Sequence, residues 1–397
     1  MPDFDEAITD ELNQLEHSSL RRSLRSIDSP QGIRIRSDEA ELVNFSSNDY
    51  LGLANHPALI ESGQKALVDF GVGAGSSRLI CGNLPPHIEL EEALADFKGT
   101  EAAITFATGY AAAIGAVCSI LGKGDVVILD KLVHASLVDA ARSSGAIIRV
   151  FRHNDLGGLE KRLKWANEKH PEARKLIVTE SVFSMDGDLA PLLNIVELKE
   201  RYGAWLMVDE AHATGLFGDG RSGLIQEFNL TDRVEIQMAT LGKALGAAGG
   251  AICGSRQLID LLINKARSLI YSTAPPPCSA AAAKAAITLV RSQEGESRRQ
   301  QLWAMTENLK TTLIECGHAP GIVRSPIVPL IIGDEQETMS FAEHLREPGI
   351  LVPGIRYPTV ARGQARLRFT ITADHNLDDL AILRQALQAT LPTVDEA

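Results

Sequence analysis

The sequence predicts an α/β protein with a large domain on a mostly parallel central sheet and a smaller C-terminal α+β domain. Three observations predict it. Between about residues 100 and 255, short continuous apolar runs alternate with helix-like segments. Such runs suit strands buried on both faces, and helices between them imply parallel crossover units. Polar, chemically capable residues follow directly after the runs, and parallel sheets bind ligands beyond the carboxyl ends of their strands. From about residue 290 the texture changes to a charged amphipathic helix and scattered strand-like runs. At 397 residues the chain exceeds what one core usually serves. The division expected is an N-terminal helical arm (1–45), a large domain (46–290) and a small domain (291–397).

The first element is a helix over residues 4–27, from apolar side chains at Phe4, Ile8, Leu12, Leu15, Leu20, Leu24 and Ile27. Its basic end, Leu20-Arg21-Arg22-Ser23, reads equally well as cations placed at a helix C-terminus or as an anion site. After Asp28-Ser29-Pro30 an extended stretch leads to the polar, turn-rich run Asn44 to Gly52. The glycine-rich Gly71 to Ser77 follows a helix rather than a strand and lacks G-x-G-x-x-G spacing, so it reads as a flexible, close-packed loop and not a dinucleotide loop. The strand runs are Ala103 to Phe106, Val126 to Leu129, Ile147 to Phe151, Leu176 to Val178, Trp205 to Val208 and Ile236 to Met238. Residues 293–316 form a charged helix. Short strands follow at Pro326 to Ile332, Ile350 to Val352 and Leu367 to Ile371, with a closing helix near 376–391. This region also brings Arg356, Arg362, Arg366 and Arg368.

Composition narrows the function. A net charge of −12, with 45% hydrophobic and 23% charged residues, argues for a globular protein and against nucleic-acid or anionic-membrane binding. The five cysteines are scattered without C-x-x-C spacing, so neither a disulfide framework nor a zinc cluster is expected. His134 and His212 lack any metal-ligand spacing, so no metal is expected. No signal peptide or membrane-spanning run is visible, which points to the cytoplasm. Asp209-Glu210-Ala211-His212 spells a Walker B sequence, but no P-loop accompanies it.

The residues after the strands converge on one chemistry. Lys243 sits alone among Gly242, Ala244, Leu245 and Gly246, with Thr240 three residues before it. Taken alone it reads as a lysine reaching out of a tight turn; a pocketed amine instead condenses with an aldehyde cofactor. Pyridoxal 5'-phosphate needs helix N-terminal amides for its phosphate, which Thr108-Gly109-Tyr110 supply by opening a helix. Its pyridine nitrogen needs a buried acid, and Asp209 ends an apolar strand. His212 and Ser184 suit its ring oxygen, and His134 its ring face. The small residues around Lys243 read as leaving room for cofactor and substrate.

The joint motif set resembles the α-oxoamine synthases, pyridoxal-phosphate transferases of fold type I. The resemblance covers residues 20–390 and rests on Asn44 to Gly52, His87 to Leu94, Thr179 to Asp188, Val208 to Gly215, Thr240 to Lys243, Tyr271-Ser272-Thr273 and Gly363 to Phe369. The chain departs from the family pattern at Val133, where Asn or Ser often precedes the histidine, and at Thr108, where Ser is frequent. Cys81-Gly82 is shared with the glycine-using ligase branch. The resemblance implies that Lys243 anchors the cofactor and removes the substrate's α-proton, and that Asp209 pairs with the ring nitrogen. It further implies that Gly109, Tyr110 and Thr240 serve the phosphate, with Ser272 and Thr273 contributed by the second subunit of a homodimer. Arg368 is implied to hold the amino acid's carboxylate, and Asn48 to lie near the substrate. Arg21, Arg356 and Thr359 would face the acyl tail. The segment Ile355 to Val360 is similar to the acyltransferase branch that condenses L-alanine with a pimeloyl thioester, carried by coenzyme A or acyl carrier protein. Alternatives are a glycine- or serine-condensing member, a plain aminotransferase, and a non-catalytic scaffold, which would be expected to have lost Lys243.

Overall fold

The computed structural model describes residues 3–18 and 20–390. Ser19 of the predicted first helix and Leu391 of the closing one lie outside the described residues. The chain forms two compact units. The larger comprises residues 48–184 and 188–300; the smaller comprises the segment up to Ser47, Met185–Gly187 and the chain from Gln301 onward.

The smaller unit holds two short sheets. Strands β1 (Arg34–Ser37) and β2 (Ala40–Asn44) pair antiparallel. In the larger unit follow β3 (Ala102–Phe106), β4 (Val126–Asp130), β5 (Ile147–Phe151), β6 (Lys175–Glu180), β7 (Trp205–Asp209), β8 (Ile236–Thr240) and β9 (Gly250–Gly254). The smaller unit adds β10 (Ile327–Gly333), β11 (Ile350–Leu351), β12 (Gly354–Ile355) and β13 (Ala365–Thr370). There β11 joins β2 in parallel, and β10 and β12 flank β13 antiparallel.

The larger unit's sheet has seven strands in the order β3-β9-β8-β7-β6-β4-β5. Strands β8, β7, β6, β4 and β5 run parallel; β9 runs antiparallel to both of its neighbours. The predicted runs lie within β3 to β8, and their continuous apolar character reflects burial on both faces in β3, β4 and most of β6 to β8. Edge strand β5 is the exception, only half-buried along most of its length. Strand β9 was not foreseen, because two glycines bound its short apolar centre. Its backbone runs so close to the helix Gly109–Ile120 that a Cβ on Gly250 would meet Gly109 Cα at 2.6 Å.

Two predicted features differ. The first helix spans Phe4–His17 only, and none of its side chains is buried. The amide N–H groups of Leu20 and Arg21 both donate to the Leu15 carbonyl, at 2.8 and 3.2 Å, closing the helix. Beyond it Leu24 is fully exposed. The apolar period continues past residue 17 without a surface to pack on, and packing is what sustains most helices. The basic residues therefore lie past the helix end. The Gly71 to Ser77 loop follows the helix Pro57–Phe70 as expected, but it is open: a Cβ on Gly71, Gly73 or Gly75 would meet nothing within 4 Å.

A buried ion pair ties the helix Pro85–Lys98 to the segment after β7. Lys98 Nζ donates to Glu210 Oε2 at 2.9 Å, to Thr214 Oγ1 at 2.9 Å and to the Ser222 carbonyl at 2.5 Å. Glu210 in turn accepts the Ile225 N–H at 2.9 Å.

In the smaller unit His375 is buried against Phe45, with ring centroids 4.7 Å apart. Its Nδ1 accepts the Thr372 N–H at 3.0 Å. Burial, the largest influence, lowers its pKa to about 4 from a usual 6.5. An unfolded chain therefore takes up this proton first. The stabilisation is complete above pH 6.5 and is lost as the pH falls towards 4, by roughly 3 kcal/mol in all. Comparing unfolding of wild type and His375→Gln from pH 7 to pH 4 tests this. The wild type should lose that much more stability than the variant; parallel losses would refute the assignment.

Candidate active site

The carboxyl ends of β3, β4, β6, β7 and β8 lie along one edge of the sheet, and the loops leaving them surround a cavity of about 170 Å3. Its lining includes Gly109, Tyr110, His134, Glu180, Asp209, His212, Thr240 and Lys243.

Each position follows from the local chain. Thr108 ends the loop after β3 and caps the helix Gly109–Ile120, its Oγ1 accepting the Ala111 N–H at 3.0 Å. Gly109 is required there, since a Cβ would lie 2.7 Å from Thr240 Cγ2. The helix thus starts directly against the end of β8, its open N–H groups at the cavity. Tyr110 is half-exposed, and its hydroxyl donates to Asp139 at 2.9 Å.

His134 caps the helix Ala135–Ser144 after β4, its Nδ1 receiving the Ser136 N–H at 3.2 Å. Burial lowers its pKa, against the opposing pull of Asp209, which favours the neutral ring. Asp209 closes β7 and is buried; its Oδ1 accepts the Ala211 N–H at 2.8 Å. Burial raises its pKa, while the positive Lys243 and the Ala211 N–H resist that rise. His212 Nδ1 shares a 2.5 Å hydrogen bond with the hydroxyl of Tyr50, itself fully buried. That hydroxyl also lies 3.4 Å from Asn48 Oδ1. Ser184 is buried after β6, and its main-chain N–H donates to the Glu180 carboxylate.

Lys243 sits in the turn after β8, half-buried, its Nζ 3.3 Å from Thr240 Oγ1. The turn is closed by the Gly246 N–H donating to the Lys243 carbonyl at 2.8 Å. Gly246 has a left-handed φ of 58°, and a Cβ there would lie 2.5 Å from the Ala54 nitrogen. At this position the small residue serves close backbone packing of the turn, a different reason from the ligand space expected of it.

The remaining predicted residues lie outside this cavity of their own chain. Ser272 and Thr273 follow the short helix Arg267–Ile270, and Thr273 bridges to Ser77. The others belong to the smaller unit. Arg21 directs its guanidinium to Glu16 at 3.4 Å and offers only its carbonyl to Arg356 Nη2, at 2.9 Å. Arg356 is buried, and burial followed by the charge of Arg22 lowers its pKa. Thr359 is exposed, its N–H donating to the Arg356 carbonyl at 3.0 Å. Arg368 is buried on β13, with Nη1 3.0 Å from Thr370 Oγ1. A larger cavity of about 490 Å3 opens at the amino ends of β7 and β8, around Trp205 and Leu258. Of the acids lining it, Glu235 and Glu101 are engaged by Lys199 and by the Arg256 N–H.

Comparison with known proteins meets this geometry. The aminotransferase class I and II family profile matches residues 40–387. The chain belongs to that family. Within it the chain is one of the α-oxoamine synthases. It is 45% identical over 374 residues to an 8-amino-7-oxononanoate synthase of Geobacter sulfurreducens, covering 94% of this chain and 95% of that one. It is 43% identical to one from Herminiimonas arsenicoxydans, covering 97% and 99%. Among solved structures, a serine palmitoyltransferase of Sphingomonas wittichii superposes with a TM-score of 0.90 at 30% identity, covering 97% of this chain and 96% of that one. An 8-amino-7-oxononanoate synthase from Francisella tularensis superposes with a TM-score of 0.74 at 25% identity, covering 88% and 97%.

Several residues of this α-oxoamine synthase site carry no assignment from sequence, Ser136 beside the His134 ring, Glu180 and Tyr50 among them. Glu180 lines the cavity, and its position directly after the β6 run was the available signal. Tyr50 reaches His212 from 162 residues away; only the N-x-Y spelling within Asn44 to Gly52 hinted at it.

Proposed function

We propose that the protein is a pyridoxal-phosphate-dependent acyltransferase that condenses L-alanine with a pimeloyl thioester. The products are 8-amino-7-oxononanoate, carbon dioxide and free thiol, a step of biotin biosynthesis. The observation that carries the reading is the convergence of Lys243, buried Asp209 and the N-terminus of the Gly109–Ile120 helix on one cavity. These residues fit the cofactor: an amine for its aldehyde, a buried acid for its ring nitrogen, and helix N–H groups beside Thr240 for its phosphate. The homologues named for this activity, matched along almost the whole chain, support the substrate pair.

When bound, the cofactor supplies an electron sink for the negative charge that develops at the amino acid's α-carbon. The protein's own groups prepare that event. Asp209, buried beside Lys243, would keep a proton on the ring nitrogen. Lys243 would anchor the cofactor and take the amino acid's α-proton. His134, kept neutral by burial, covers the ring face without opposing the ring's positive charge. Tyr50 fixes His212, which with Ser184 meets the ring oxygen. The family resemblance implies that Arg368 would hold the amino acid's carboxylate, a good use of a bidentate guanidinium. It likewise implies that Arg21, Arg356 and Thr359 would face the acyl tail and that Asn48 would lie near the substrate.

The site is shared in a homodimer, with Ser272 and Thr273 offered to the second copy. The exposed Val68, Val72, Ile80 and Tyr271 of the larger unit support such a partner. Among the described residues no helix is long and apolar enough to cross a membrane, which agrees with a cytoplasmic enzyme. One experiment tests the reading: thiol and carbon dioxide release from each pairing of alanine, glycine or serine with pimeloyl or shorter acyl thioesters, on coenzyme A and on carrier protein. Alanine with a pimeloyl donor should lead. Preference for glycine or serine would defeat the substrate assignment, and a fully active single-chain species in sedimentation would defeat the shared site.

A further inference from the structure

Glu180 is a buried acid inside the cavity that the reaction as described does not use. It closes β6, and in the β6–β7 register it is paired directly with Asp209, so the two side chains leave the same face of the sheet side by side. Its Oε1 receives the main-chain N–H of His134 at 2.5 Å. The main-chain N–H of Ser184 donates to the same carboxyl group. One side chain therefore ties the loop after β4 to the loop after β6. Those loops carry the residues assigned above to the ring face and to the ring oxygen.

The charged groups facing Glu180 are Asp209 from β7, Lys243 from the turn after β8 and, when protonated, His134 from the loop after β4. Two carboxylates side by side in a dry cavity cannot both ionise cheaply. Burial, and next the charge of Asp209, hold Glu180 well above the usual carboxylate range; the His134 and Ser184 N–H groups and Lys243 only partly offset them. Asp209 has the better claim to the negative charge, because Lys243 is foremost among the influences that favour its ionised form.

We propose that Glu180 is a positioning residue working as an uncharged acid: it accepts the N–H groups of His134 and Ser184, sets both residues against the cofactor, and leaves the cavity's negative charge to Asp209. The proposal rests on the cofactor reading above. An amide in place of the acid preserves both the accepting oxygen and the neutral charge, whereas truncation leaves two buried N–H groups without their acceptor.

The full chain carrying Glu180→Gln or Glu180→Ala is titrated with pyridoxal phosphate, following the cofactor's visible absorption from pH 6 to pH 9, with thermal melts to confirm folding. Glu180→Gln should bind within about twofold of wild type, with a superimposable absorbance profile against pH. Glu180→Ala should bind roughly tenfold more weakly, with a displaced absorption maximum. A Gln variant as impaired as the Ala variant would show that the carboxylate charge is needed and overturn the proposal; so would an Ala variant that matches wild type. Wild-type protein that takes up no cofactor would overturn both readings. Wild type that binds cofactor but condenses nothing would overturn only the substrate assignment.

Discussion

Lys243→Ala should lower condensation turnover by at least about 10²–10⁴-fold, the range for removing a positioned acid–base group. The loss should exceed that of any other single substitution in the cavity, because on the proposed reading one amine serves twice, as the cofactor's anchor and as the acceptor of the α-proton. Thr240 Oγ1, 3.3 Å from Nζ, cannot replace it, since a hydroxyl is a far weaker base. Covalent attachment gives a second readout. Borohydride reduction of the wild-type protein with its cofactor, followed by peptide mapping, should place the added mass on the peptide containing Lys243. The variant should carry none. A reduced adduct on another lysine, or turnover in the variant within tenfold of wild type, would remove Lys243 from both roles. Because the side chain is only half-buried, the melting temperature without cofactor should move little.

The largest effect on stability is expected at Lys98, outside the cavity. Lys98→Met should destabilise the larger unit by about 3–5 kcal/mol, the usual consequence of leaving one member of a buried ion pair behind. Glu210 would keep the Ile225 N–H at 2.9 Å but face a dry interior with its charge uncompensated. Thr214 and the Ser222 carbonyl would also lose their donor. Calorimetry should show a fall of roughly 10 °C in the transition of the larger unit. Adding Glu210→Gln to Lys98→Met should recover part of it, since an uncharged amide is cheaper to bury. A Lys98→Met melt within 2 °C of wild type, measured side by side, would mean that water reaches the pair. The substitution should also reach the cavity electrically, because Lys98 is among the charges that favour ionised Asp209.

Much of the site was legible because strand ends are legible. Continuous apolar runs located β4, β6, β7 and β8, and in a parallel sheet the residues after them must share an edge. Asp209 and Lys243 could thus be related across 33 intervening positions. The failures have equally definite causes. Strand β9 was hidden because Gly250 and Gly254 give way to neighbouring backbone, which removes the β-branched signal a strand normally carries. The first helix ends short of its apolar period: periodicity reports a stripe without reporting whether anything covers it. Lys98 reads as an ordinary lysine in the last turn of a helix, and nothing local tells that its partner is Glu210, 112 residues on. Glu180 stood at the right strand end, but its meaning depends on the register with Asp209, which a single strand cannot disclose.

The position of β9 also bears on how the chain can be made. Strand β3 is the first strand of the central sheet to be synthesised, yet it hydrogen-bonds within the sheet only to β9, the last. At about 5–20 residues per second, β3 waits for roughly seven to thirty seconds on the ribosome before its partner exists. During that interval the Ala102–Phe106 edge is unpaired and apolar, a template for wrong pairing. The Gly109–Ile120 helix likewise cannot settle against Thr240 until β9 has passed between β3 and β8. The seating of the Gly109–Ile120 helix at the cavity therefore waits on β9, and translation that stalls before Gly254 should yield a chain holding Lys243 without that helix N-terminus packed beside it.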